Sequence, residues 1–179
     1  MTARLLAMLL AVASLAACGE ARRAPADRGR VEASMAALGT VRALHHEADV
    51  YEGAGQFAQA SQAMRRVLDL RLPQGFGDAE SVRADAWGRL AELDLRRDAP
   101  DEALARVDEG LAATPRESVL QARLFMVRGQ ALRALAERAA GAGDGALAAR
   151  RREEALAALE RSIEVNGRIL GRLTDGGPR

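Results

Sequence analysis

The sequence predicts an all-α fold, and three features of its 179 residues carry that reading. Forty residues are alanine against two isoleucines, ten valines and four threonines, so helix formers dominate and the β-branched residues that strands favour are scarce. Glycine, proline and aspartate gather at a few breaks: Gly75, Gly77 and Asp78; Asp98 to Pro100; and Gly141, Gly143 and Gly145. Between the breaks, small and large apolar residues recur at helical spacing. About six helices in antiparallel pairs are expected, the last pair elongated.

The chain opens with Arg4, an apolar stretch from Leu5 to Leu15, the small residues Ala16 and Ala17, and Cys18, its single cysteine. A bilayer-spanning helix needs about 20 apolar residues, so residues 1–17 are expected to be a signal peptide and not a permanent anchor. "LAAC" at Leu15 to Cys18 resembles the bacterial lipobox. That resemblance implies cleavage before Cys18, a lipidated thiol and an acylated amino group there, and more than the two lipid signals that stable membrane attachment needs. The other reading is a general secretory signal cut near Ala17, leaving an unpaired thiol. Gly19 replaces the Asp that resembles an inner-membrane retention signal, so the outer membrane, facing the periplasm, is the expected location. Residues 18–30 have no apolar residue larger than Ala after the cysteine and read as a flexible tether.

From Val31 to Leu173 the sequence repeats itself. In Ala86 to Pro115 the markers are Trp87, Leu90 and Ala91, then the break, then Ala103, Val107, Gly110, Leu111 and Pro115. This order resembles the tetratricopeptide repeat, a helix-turn-helix unit of ~34 residues. Upstream, Leu44, Ala48 and Tyr51 precede a turn at Gly55 and Phe57, followed by Ala60, Met64, Val67 and Leu68, with Glu47 where the family has Leu. Downstream, Phe125, Gly129 and Leu132 precede Ala155, Leu159, Ser162 and Ile163. The interval across this third turn is longer, so a protruding hairpin is expected around Gly141 to Gly145. The resemblance implies a short right-handed solenoid over residues 31–173, with residues 174–179 a disordered tail. Leu156, Leu159, Ile163, Leu170 and Leu173 continue the last helix, which is expected to cap the stack as terminal repeats do. Thr114, Pro115 and Glu117 read as a capping box for the fifth helix.

Charge narrows the function. The net charge is +1, and removal of Arg4 with the leader leaves 25 Arg against 25 acidic residues. A neutral chain without a basic stripe offers little to a phosphate backbone, so no nucleic-acid partner is expected. His45 and His46 are adjacent and diverge on a helix, so they do not chelate one metal as an i, i+4 pair does. "GAGDG" follows no strand and reads as a hairpin turn. Arg150 to Glu154 reads as a solvated face. No nucleophile, base and orienting group fall together, so no enzyme, cofactor, metal or small-molecule substrate is expected.

In the tetratricopeptide family the first helix of each repeat lines a groove for an extended peptide or a partner helix. The resemblance places Arg42, His45, Asp49 and Glu52, then Asp85, Glu92 and Arg96, then Arg123, Gln130 and Arg133 on that face. His45 and Asp49 stand where the family's chaperone-carboxylate clamp has Lys and Asn, which argues against that ligand. Arg123 and Arg133 are candidates to pair with a partner carboxylate; a merely solvated face is the competing reading. The implied protein is a membrane-anchored adaptor or assembly factor for protein partners in the cell envelope. The alternative is a self-associating structural envelope protein.

Overall fold

A computed structural model describes residues 24–175 of the chain. Residues 1–23, which include the expected signal peptide and Cys18, and residues 176–179 lie outside the described residues. Six helices follow one another: α1 (Ala24–Gly53), α2 (Phe57–Asp69), α3 (Ala79–Arg96), α4 (Pro100–Ala113), α5 (Val119–Gly141) and α6 (Gly145–Asp175). No strand occurs among the described residues, and no helix there is long and apolar enough to cross a membrane. Two boundaries differ from the sequence reading. Residues 24–30, assigned to the tether, belong to α1, and Thr174 and Asp175, assigned to the tail, end α6. Alanine-rich composition suffices to propagate a helix from a packed segment into a flanking one.

The described chain divides into two units. Ala24–Thr40 and Leu72–Phe76 belong to the first, where Val31 and Met35 are exposed, Thr40 donates to the Ala36 carbonyl at 3.0 Å, and Phe76 N–H donates to Pro73 at 3.0 Å. Val41–Arg71 and the chain from Gly77 onward form the second. There each helix from α2 onward packs on the next, and α5 also packs on α3.

The core of the second unit follows the recurring markers. Ala91, Ala103, Val107, Leu124, Val127 and Ala131 form one buried cluster, with Trp87, Leu95, Leu104 and Leu111 partly buried around it. One close crossing lies at Gly110, where an added Cβ would sit 2.8 Å from the Trp87 Cβ and 3.0 Å from Leu124. Only a residue without a side chain lets α4 lie against α3 and α5 at once. In the first pair, Leu44, Ala48, Ala60, Met64 and Val67 are buried as their spacing predicts.

The capping box is not used. Thr114 is buried and its hydroxyl donates to the Gly110 carbonyl at 2.7 Å, which closes α4. Glu117 instead accepts from Arg168 at 2.9 Å and Arg172 at 3.3 Å on α6. The N-cap of α5 is Ser118, whose Oγ accepts from Gln121 N–H at 3.1 Å and satisfies one of the orphan donors of the first turn. Serine at this position is an equally good cap, and long-range pairing decided between the two.

The last hairpin is elongated, with α5 at 23 residues and α6 at 31. Buried Ala136, Ala139 and Ala148 zip its arms together, and Asp144 accepts from Leu147 N–H at 2.9 Å at the turn. Its outer part also leans on the α3–α4 turn: Arg138 pairs with Asp98 at 3.0 Å and Asp101 at 3.8 Å.

The interior register of α6 departs from expectation. Its buried residues are Ala148, Ala155, Ala158, Ser162 and Val165, and Ser162 Oγ donates to the Ala122 carbonyl at 2.7 Å. Ile163, expected inside, is 71% exposed, and Leu156, Leu170 and Leu173 are exposed as well. The last helix therefore does not present the polar outer surface of a cap.

Candidate functional site

The ten residues assigned to a groove lie on α1, α3 and α5, and seven of them meet in two charge clusters. In the first, Arg123 of α5 reaches back to α3, donating to Asp85 at 2.5 Å and to both oxygens of Glu92 at 3.0 and 2.7 Å. His45 of α1 approaches the other Asp85 oxygen at 3.6 Å. In the second, Glu52 of α1 pairs with Arg89 and Arg96 of α3, each at 2.5 Å, and Arg89 also holds Asp49. Helical spacing explains the convergence: Asp85, Arg89, Glu92 and Arg96 recur at steps of four, three and four, so they form one stripe on α3.

This geometry gives Arg123 partners in its own chain: its guanidinium clamps two carboxylates in a half-buried setting. The Glu92 hydrogen bonds are the main influence holding its proton more tightly than that of a free Arg. Arg133 is separate from the clusters. It is 73% exposed, and its one ion pair among the described residues is with Glu137 on the next turn at 3.8 Å. Arg42 and Gln130 are exposed too.

Arg89 was missed by the sequence reading, although its spacing from Asp85 and Glu92 placed it on the same stripe. So was Leu95, half-buried against the core and floor of a groove of about 390 Å³ whose other walls are Glu92, Arg96 and Gln130. This groove is the part of the face where polar side chains meet an apolar floor. No cluster of three or more His, Cys, Asp or Glu suited to a metal ion occurs among the described residues.

A second acid stands apart. Asp94 of α3 is buried, with Arg97 at 3.4 Å and Arg106 at 3.8 Å. Burial pushes its carboxyl above the usual range, against the pull of Arg106, Arg97 and Arg65. It faces α4 and is no part of the groove face.

No family model matches this chain, and no curated protein or solved structure matches it significantly. The described residues define an all-α chain of six helices in which each helix from α2 onward packs on the next.

Proposed function

We propose that the chain is a lipid-anchored envelope protein whose helix pairs form a tetratricopeptide-like array, acting as an adaptor or assembly factor for other envelope proteins. The helix-on-helix sequence supports the array: small residues sit at the closest crossings, and α5 rests on both members of the preceding pair. The lipobox-like LAAC ending at Cys18 supports the anchor.

The observation that carries the binding role is the face shared by α1, α3 and α5. Its acids and bases neutralise one another within the chain, so it holds no strong field to attract a free anion or cation. What remains open to a ligand is the Leu95 floor with Glu92, Arg96 and Gln130 around it. An apolar floor with a few dispersed polar groups suits a polypeptide, whose side chains cover the floor while its backbone exchanges hydrogen bonds with the rim.

The test is capture from envelope membranes, with the lipidated chain as bait and a Gln130→Arg variant beside it. Gln130 is exposed, so helicity should be unchanged. A protein recovered with wild type and lost with the variant supports the groove; identical recovery by the two baits removes it.

A further inference from the structure

Helix α6 carries two apolar stripes about 100° apart, since each residue of one precedes or follows a residue of the other by one position. The alanine-rich stripe is buried against α5. The second stripe, Leu156, Leu159, Ile163, Asn166, Leu170 and Leu173, is uncovered except where Leu159 packs into α5 at Gly129: its other four apolar members are 60 to 73% exposed. Its spacing alternates three and four without interruption, which is the a/d pattern of a coiled-coil seam. Soluble monomers rarely leave so continuous an apolar surface to water.

We propose that a second copy of this chain covers this face, the two α6 helices pairing in parallel about a two-fold axis along the seam. Two features select that occupant and that direction. Asn166 is the one polar position in the seam. In a parallel in-register pair this d-position residue meets Asn166 of the other copy and the two amides satisfy each other, so a slipped register that buries either amide against an apolar residue is disfavoured. In an antiparallel pair it would face Ile163. Charge selects the same arrangement. Glu153 is exposed on the free edge of α6 and makes no ion pair within the described chain, while Arg133 is exposed on the α5 edge. Both lie eight residues from the hairpin turn, Arg133 before Gly141 and Glu153 after Gly145, and so stand at one level on opposite sides of the seam. A parallel two-fold brings Glu153 of each copy to Arg133 of the other, twice. An antiparallel pair would set the acidic edges, with Glu153 and Glu160, against each other.

The test uses the full chain carrying Cys18→Ser, which removes the one native thiol and makes the result independent of lipidation. With Asn166→Cys, mild oxidation is expected to give a covalent dimer at least tenfold faster than with Ala157→Cys, whose exposed side chain points about 100° away from the seam. Ile163→Glu with Leu170→Glu should raise the dimer dissociation constant at least 100-fold in sedimentation equilibrium while the circular dichroism of the monomer is retained. Arg133→Glu should weaken the dimer, and adding Glu153→Arg should restore it. A chain that stays monomeric at 100-fold the concentration of the cross-linking assay, or that cross-links equally at 157 and 166, overturns the proposal, as does insensitivity to the charge exchange. An Ile163–Leu170 surface that only a different protein's helix or a lipid vesicle covers would give the monomeric outcome.

Discussion

Leu159 of α6 lies in the notch left by Gly129 of α5, so close that a Cβ on Gly129 would come 2.7 Å from the Leu159 Cγ and 3.1 Å from the Ala155 carbonyl oxygen. Alanine normally improves a helix interior by about 1 kcal/mol over glycine. Here the methyl must displace a branched carbon and backbone, and overpacking of that kind typically costs ~1 to 3 kcal/mol. Gly129→Ala should therefore lower the melting temperature, whereas Gly39→Ala, with open space around the new methyl, should leave it level or raise it. A thermal melt in which both variants gain stability would mean that α5 and α6 do not approach this closely.

Arg123 and Arg133 were equivalent candidates in sequence and are not equivalent in structure. Arg123→Glu places a third carboxylate beside Asp85 and Glu92 and removes hydrogen bonds to charged groups, which contribute ~1.5 to 3 kcal/mol each when partly shielded. Several degrees of melting temperature should be lost. Arg133→Glu alters an exposed pair worth at most ~1 kcal/mol and should leave the melt nearly unchanged at concentrations dilute enough for the chain to be monomeric. Equal effects at the two positions would contradict the clamp.

Asp94 makes stability depend on pH in an unusual direction. Its folded-state carboxyl titrates above the unfolded value because burial disfavours the charge. A raised carboxylate favours folding below its unfolded pKa, and that contribution is lost as pH rises through the folded pKa. At neutral pH the ionised side chain is thus a net cost. Asp94→Asn should melt a few degrees higher than wild type at pH 7.5, and the gap should shrink as the pH is lowered into the carboxylate range. A gap that widens on acidification would show that the pairs with Arg97 and Arg106 outweigh burial.

Glu117 behaves oppositely. Its hydrogen bond with Arg168, chiefly, holds its carboxyl below the usual range, so the tie to α6 is complete above the unfolded pKa and is lost as pH falls through the folded value. Glu117→Gln should speed amide exchange in residues 168–175 while sparing the α5–α6 core at Leu132 and Ala155. Unchanged exchange at that end of α6 would show that packing alone holds it.

The anchor has its own test. Cys18→Ser in the full precursor should abolish incorporation of labelled fatty acid and leave the leader uncut by the lipoprotein peptidase. Processing identical to wild type would refute the lipobox reading and leave the general secretory signal.

The stripe on α3 shows how far pattern reaches into the candidate face. Asp85, Glu92 and Arg96 share a side of one helix by periodicity alone, and so could be grouped before any fold was known. That Arg123 closes on them depends on the distance between α3 and α5, set by Leu124 packing against Gly88 and Gly110. No spacing within a single helix encodes that distance. Ser118 and Thr114 make the same point at a helix start, where two acceptable caps compete and contacts far along the chain choose.

By itself the sequence determined the helices, their breaks and the small residues where they cross, because composition, period and turn chemistry are local properties. Only the tertiary structure decided which side of α6 is inside. Ala155, Ala158, Ser162 and Val165 repeat with the same three-four spacing as Leu156, Leu159, Ile163 and Asn166, and hydrophobicity favours burying the leucine and isoleucine set. The small set lies inward because α5 and α6 run close along a long hairpin, where alanine-sized contacts let the backbones approach and interior leucines would hold them apart.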